Sequence, residues 1–460
     1  MGIFKAYDIR GTVPDQLNPD VAFAIGWAFA THLAEDGPGP LVRVGMDARP
    51  TSPALTRAFM DGLAAAGATP EFIGPCTTPM LYWAVAGHEP AARGGAMITA
   101  SHNPARYNGV KLCREDAIPI ASTSGLEEIE ALTAQAPPRV EGAAELRVNL
   151  AGDGQAPPGF DADMWKGYAR HIATFARRTP EDLSVAVDTA NGMGGAYLGL
   201  LRSLGIRVHA IHGEFDGTFP SHEANPSKRE NLAELCELVK ARGCQAGIAL
   251  DGDADRAVFI DEKGRPVGQD MITALLAVEV LRRHKGAAVL YDLRSSRAVP
   301  EAISEAGGRA VRERVGHSFM KATMRKVGCV LGGELAGHYY FKDNWFADSA
   351  IIAVLEVLGA MGRTGEPLSA LVKPFQKYAQ SGEVNFRVGD TAALFATIRE
   401  QFKDAQIDEL DGVTVQYPDW WFNLRGSNTE PLVRLNLEAA NENQLKEKFA
   451  ALKSMIGEPT

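Results

Sequence analysis

The chain has 460 residues, 45% of them hydrophobic and 23% charged, which is the composition of a soluble globular protein of about three ordinary domains. Its net charge of −10 excludes non-specific nucleic-acid binding, so an anionic substrate needs a local basic pocket working against the global field. No apolar run is long enough for a membrane span and the first residues form no signal peptide, while the five scattered cysteines lack any CxxC pair, which points to reduced thiols in a cytoplasmic setting and to no zinc site.

In chain order, Lys5 to Arg10 reads as a short strand running into a glycine turn at Gly11, with Arg10 placed to reach a phosphate. Asn18-Pro19-Asp20 opens a helix, asparagine as N-cap and proline in the first turn. A strand–loop–helix–strand pattern then recurs three times. Its leading strands are Leu41 to Gly45, Ser184 to Val187 and Ala288 to Tyr291. Each runs into a polar loop that begins with aspartate: Asp47, Asp188 or Asp292. This is the grammar of α/β units, whose ligands bind at the carboxyl ends of the strands. Residues 134–160, rich in Pro, Gly and Ala, read as a linker, and 362–367 as a hinge. Beyond the hinge, four strands, a helix and a closing helix over 441–456 form a smaller α+β unit. The predicted fold is therefore α/β: three similar mixed α/β domains and a smaller C-terminal α+β domain around a central cleft. The predicted boundaries are 1–148, 149–249, 250–366 and 367–460.

Four loops carry chemistry. Thr99-Ala100-Ser101-His102-Asn103-Pro104 follows the apolar run Gly95 to Ile98, a strand exit that projects a serine hydroxyl beside a histidine proton carrier. As a plain turn, Ser101 or Asn103 would only bond the local backbone. Asp251-Gly252-Asp253-Ala254-Asp255-Arg256 sets three carboxylates at alternate positions after a buried strand, a donor set for magnesium or another hard divalent ion. A calcium EF-hand is excluded because Arg256 stands where that loop needs glycine, even though Glu262 falls at its twelfth position. Gly333-Glu334-Leu335-Ala336-Gly337-His338 offers Glu334 and His338 to sugar hydroxyls, with His317 earlier in the same unit. Arg425-Gly426-Ser427-Asn428-Thr429 has the guanidinium and small donors of a phosphate nest. A hydroxyl nucleophile, a metal and a phosphate holder together point to phosphoryl transfer through serine.

These four loops, in this order, together with Tyr7-Asp8-Ile9-Arg10-Gly11, resemble the alpha-D-phosphohexomutase family over essentially the whole chain. The resemblance implies reversible conversion of hexose 1-phosphate, of mannose and/or glucose, to hexose 6-phosphate through a phosphoserine at Ser101 and a 1,6-bisphosphate. It implies Mg2+ held by phospho-Ser101 with Asp251, Asp253 and Asp255, and glucose 1,6-bisphosphate as the activator that primes Ser101. Lys111, Arg10 and His102 would handle protons, with the lysine pKa lowered by Arg10 and burial, and His317 would position substrate. Arg256 and Arg294, with Glu334, Ala336 and His338, would face the sugar phosphate. Arg425, Ser427, Asn428 and Thr429 would hold the unreacting phosphate. Ala336 and Arg294 depart from the family's common serine and lysine, which leaves the glucose/mannose preference open. The expected partners are small phosphosugars alone, with neither nucleic acid nor membrane, on a monomer or weak dimer. The alternatives are a phosphoglucosamine mutase, a metal-dependent serine phosphohydrolase and a non-catalytic phosphosugar binder.

Overall fold

The computed structural model describes residues 2–34, 39–140, 157, 159–177, 182–426 and 432–460. Four sheets follow one another along the chain. In the first, Leu41–Met46 lies between Thr69–Pro75 and Gly94–Ile98 and runs parallel to both. Gly94–Ile98 then turns back into the antiparallel Tyr107–Arg114. The second sheet repeats this order: Ser184–Asp188 sits between the parallel strands Arg207–Ile211 and Ala246–Leu250, and Ala246–Leu250 pairs antiparallel with Ala257–Asp261. In the third, Ala288–Asp292 lies between Arg309–Glu313 and Leu331–Gly333, which turns back into Tyr339–Phe341. The repetition positions the site. In all three units the loop between the third strand and its antiparallel partner is one of the predicted functional loops, carrying Ser101, the three aspartates or Glu334.

This arrangement corrects two expectations. The metal loop, expected to open the third unit at residue 250, is flanked by two strands of the second sheet, so the expected 249/250 boundary cuts that sheet at the end of Ala246–Leu250. Gly11 is no turn. It lies inside the strand Ile9–Thr12, opposite Asn108, and a Cβ there would meet Ile3 at 2.8 Å. The calcium reading fails structurally too, because residues 257–261 form the strand and Glu262 binds Ser369.

The helix Pro19–Ala34 starts as its sequence predicts, with Asn18 Oδ1 accepting from the amides of Asp20 and Val21. The helix Ala350–Thr364 is buried on every side from Ala350 to Met361 and ends at Gly365, whose φ of 73° suits glycine. Burial of Ile351, Ile352, Leu355 and Leu358 at 0–1% exposure contributes about 1.5–3 kcal/mol per side chain. This helix joins the second and third units and the helix Thr78–Gly87 in one continuous core. The fourth unit has its own core beneath the antiparallel sheet Ala379–Arg387, Leu432–Ala439, Trp420–Gly426, Val413–Gln416, Gln406–Asp408 and the helices Thr391–Gln401 and Glu442–Ile456. No helix among the described residues is long and apolar enough to cross a membrane.

Candidate active site

The serine loop is fastened from beneath. Arg49, 1% exposed, donates from Nη2 to the carbonyls of Ser101 and Asn103 and from Nη1 to those of Pro104 and Tyr107. Its Nε donates to Asp47 at 2.9 Å, so all five guanidinium N–H groups are used. Asp47 also accepts from Ser52 Oγ and from Thr99 Oγ1, at 2.6 and 2.7 Å. The bracket holds Ser101 at φ 50°, a left-handed conformation that costs a non-glycine residue energy unless its surroundings impose it. The loop read from sequence as merely polar thus builds the platform for the serine.

Ser101 is 3% exposed, with Oγ 3.0 Å from Asp251 Oδ2 and 3.2 Å from His102 Nδ1. The metal loop docks onto the first unit at several points. Thr78 donates through its amide to the Asp253 carbonyl and through Oγ1 to Asp253 Oδ2, at 3.0 and 2.6 Å. Lys111 Nζ lies 2.5 Å from both Asp253 Oδ2 and Asp255 Oδ2. A Cβ on Gly252 would stand 2.5 Å from the Ser101 carbonyl oxygen, so glycine there permits the contact.

The residues fit a hard divalent ion. Asp251, Asp253 and Asp255 each bring an oxygen within 4.8 Å of the others. Asp253 Oδ1 and Asp255 Oδ1 are buried with no hydrogen-bond partner. Buried carboxylate oxygens normally have partners, so this oxygen-only donor set suits Mg2+. Burial, the Asp255 charge and then that of Asp253 push the Asp251 carboxyl up to about 7, despite Arg256 Nε at 2.8 Å. Below that pH a proton competes with the ion. Mg2+ affinity, titrated calorimetrically, is therefore expected to fall up to about tenfold per pH unit below 7 and to level off above it. A flat affinity between pH 6 and 8 would remove Asp251 from the ion's ligands.

Lys111 contradicts the expected base. Burial disfavours its ammonium, but Asp253 and Asp255 outweigh burial and raise the pKa, so Lys111 is a firmly held cation. The nitrogen side chain held neutral at this site is His102. Burial, then the Arg256 and Arg10 guanidiniums, hold its pKa well below the ordinary value. Arg10 is tied to Asp8 at 2.7 Å and to Asn103 Oδ1 at 2.7 Å, closing the serine loop from the other side.

His102 and Arg256 line a cleft of about 1130 Å³, together with Tyr7, Arg294, Leu335, Ala336, Arg425 and Arg434. Arg256 Nη2 is buried with no hydrogen-bond partner. Glu383, absent from the sequence expectations, gathers three guanidiniums: Arg425 at 2.8 Å, Arg434 at 3.3 Å and Arg294 at 3.4 Å. Arg294 is otherwise paired with Asp292 at 2.7 Å. A glutamate on a strand carries no motif, so nothing local announces Glu383 or Arg434. Ser427, Asn428 and Thr429 lie outside the described residues.

Glu334, Ala336, His338 and His317 come from the third unit. Ala336 faces the cleft without a hydroxyl. Glu334 is 2% exposed, its carboxylate accepting from Tyr340 Oη and from the Gly316 amide. His338 Nδ1 lies 2.8 Å from Asp348 Oδ2; burial lowers its pKa, Asp255 and Asp348 outweigh burial, and the net shift is upward. His317 rests edge-on against Tyr7, both ring nitrogens lack partners, and burial followed by Lys321 keeps its pKa well below the usual value. Backbone pairing of Arg256 with His338 fastens this loop to the metal loop.

Four family profiles match in sequence: phosphoglucomutase/phosphomannomutase alpha/beta/alpha domain I at residues 1–139, domain II at 166–264, domain III at 268–378 and the C-terminal domain at 383–453. The domain II match takes in the aspartate loop, as the second sheet does. The chain is 37% identical over 455 residues to the phosphomannomutase of Methanocaldococcus jannaschii, covering 99% of this chain and 97% of that one. It is 35% identical over 464 residues to the phosphoglucomutase of Neisseria gonorrhoeae, covering 98% and 96%. Among solved structures, a phosphoglucomutase/phosphomannomutase family protein from Burkholderia thailandensis superposes with a TM-score of 0.86 at 30% identity, covering 100% of this chain and 98% of that one. On this agreement of profiles, full-length relatives and fold, the chain belongs to the phosphoglucomutase/phosphomannomutase family of mutase enzymes.

Proposed function

We propose that the protein interconverts the 1- and 6-phosphates of glucose and/or mannose, with Ser101 carrying the phosphoryl group and a 1,6-bisphosphate as intermediate. The observation that carries this reading is one cleft lined by two groups of cationic side chains. Arg256 lies there with His102, whose Nδ1 is 3.2 Å from Ser101 Oγ, and Arg294, Arg425 and Arg434 come from the third and fourth units. A hydrolase needs only the first group.

In the forward direction the substrate's 6-hydroxyl oxygen attacks the phosphorus of phospho-Ser101. A new P–O bond forms, the P–Oγ bond breaks, and the seryl oxygen leaves with the bonding pair. The neutral His102 ring, 3.2 Å from Oγ, accepts the sugar proton and returns it to the leaving oxygen. Arg256 Nη2, free of protein partners, meets the charge on the transferring group. Lys111 holds Asp253 and Asp255 in place as a cation. Mg2+, when bound by Asp251, Asp253, Asp255 and the phosphorylated serine, supplies further charge neutralisation. The bisphosphate then reorients, and its 1-phosphate passes back to Ser101 by the same chemistry. Arg425 and its neighbours therefore hold either phosphate of the intermediate in turn.

Arg425→Ala removes one charge-assisted contact to a dianion, worth about 1.5–3 kcal/mol, so steady-state kinetics should show KM raised about 10- to 100-fold with a smaller change in kcat. An unchanged KM would take Arg425 out of the phosphate clamp. Substrate choice is read by incubation with Mg2+, trace glucose 1,6-bisphosphate and, separately, the 1-phosphates of glucose, mannose and glucosamine. Formation of glucose or mannose 6-phosphate supports the proposal. Turnover of glucosamine 1-phosphate alone reassigns the enzyme, and release of inorganic phosphate without any 6-phosphate overturns the mutase reading.

A further inference from the structure

We propose that Asp188, His212 and His222 form a second cation site, separate from the aspartate loop, that takes a borderline divalent ion of the zinc class. Asp188 ends an inner strand of the second sheet and is 1% exposed. Its Oδ1 lies 3.0 Å from His212 Nδ1 and its Oδ2 lies 3.0 Å from His222 Nε2. The three ligating atoms lie within 4.8 Å of one another.

The hydrogen count points to an ion. The outer nitrogens of both rings also face oxygen. His222 Nδ1 is 2.8 Å from the Glu223 carbonyl, and His212 Nε2 is 3.2 Å from the Glu234 carboxylate. A neutral imidazole has one N–H, so two neutral rings supply two hydrogens to four oxygen-facing nitrogens. With those hydrogens on the outer nitrogens, both bare lone pairs aim at one buried carboxylate. That is the layout of a metal site. Two imidazoles and a carboxylate turn inward, while a backbone carbonyl and a second carboxylate fix the tautomers from outside. Two nitrogens and an oxygen suit Zn2+, whereas Mg2+ prefers oxygen alone. The rings are 15% and 18% exposed, so an ion reaches them from solvent. The absence of a cysteine pair, which argued against zinc in the sequence, does not bear on a site built from histidine.

The site would tie together two segments behind the catalytic cleft. From Asp188 the chain runs to Gly192 and Met193, and the Met193 amide donates to the Gly252 carbonyl at 2.9 Å, directly behind the aspartate loop. From His222 it runs to Asn225, Ser227 and Lys228, which line the cleft. Just before His222, Phe219 lies under the Arg49 guanidinium at 4.9 Å. An ion at Asp188 therefore braces a cleft wall while touching no substrate.

The test uses the full chain, stripped with a chelator, refilled with excess Mg2+ and titrated with Zn2+ by calorimetry, with elemental analysis after desalting. One Zn2+ per chain is expected, retained in Asp251→Asn and weakened at least about 100-fold in both His212→Gln and His222→Gln. Co2+ in place of Zn2+ should give the intense visible bands of a low-coordinate nitrogen–oxygen site in the unmodified protein, a readout that needs no variant to fold. No Zn2+ retained against Mg2+ overturns the proposal. So does Zn2+ that survives both histidine substitutions, since it then sits elsewhere. Imidazole NMR showing both rings doubly protonated at neutral pH with Zn2+ present would equally overturn it, because protons rather than an ion would then fill the gap.

Discussion

Replacing Ser101 with alanine is expected to lower kcat for hexose phosphate interconversion by about 10⁴-fold or more while leaving the fold intact. The hydroxyl stands 3.0 Å from an aspartate of the metal loop and 3.2 Å from the neutral ring of His102, which lines the cleft. Removing it deletes the atom that bonds to phosphorus, so the loss is of a reaction route and not of a contact. Structurally the change is mild. Ser101 Oγ bonds side chains of the aspartate loop and His102, while the backbone at φ 50° is held by Arg49 and by the Thr99 hydroxyl, neither of which alanine disturbs. The variant should therefore still bind glucose 1,6-bisphosphate and unfold near the temperature of the unmodified protein. Stopped assays for 6-phosphate and calorimetric melts measure the two effects separately. Turnover within tenfold of normal would mean that another residue carries the phosphoryl group.

Arg49→Lys should be nearly as damaging, although it keeps the charge. The buried guanidinium spends five donors on four loop carbonyls and one carboxylate. An ammonium has three donors and no fork, so it cannot reach both sides of the loop. Breaking a buried pair of this kind costs about 3–5 kcal/mol, here divided between global stability and local order of residues 101–107. A serine displaced by about 1 Å loses on the order of 10²-fold in rate. The expected signature is a lower Tm together with a fall in kcat that exceeds any change in KM. An active, destabilised Arg49→Lys enzyme would show that the loop holds its shape without the bracket.

Chemistry confined to short contiguous stretches was legible in the sequence. Ser101, the alternating aspartates and Arg425 stand in compact motifs, and the three repeated strand–loop–helix–strand units announced the fold. What escaped depends on distant pairing. The aspartate loop was expected in the third unit because a buried strand followed by a polar loop looks like the start of a unit; only the pairing of Ala257–Asp261 with Ala246–Leu250 makes it the end of the second. Lys111 was expected with a lowered pKa beside Arg10. Its two nearest charges are carboxylates more than 140 positions later in the chain, which reverse the sign. Arg49 looked like one polar loop residue among many because its partners are backbone carbonyls, which leave no trace in side-chain patterns. Glu383 and Arg434 meet diagonally across paired strands, Glu383 opposite Asn436 and Arg434 opposite Asn385, in a register that no local motif encodes.

The most direct test of the account is a single-turnover experiment. Protein phosphorylated with glucose 1,6-bisphosphate and freed of excess ligand is mixed rapidly with glucose 1-phosphate or mannose 1-phosphate and Mg2+. Mass spectrometry follows phospho-Ser101 while the sugar phosphates are resolved in parallel. The account predicts that label leaves Ser101 at least as fast as steady-state turnover and appears as 1,6-bisphosphate and then 6-phosphate, with no burst of inorganic phosphate. Label that stays on Ser101 while 6-phosphate accumulates, or that leaves only as inorganic phosphate, would contradict it.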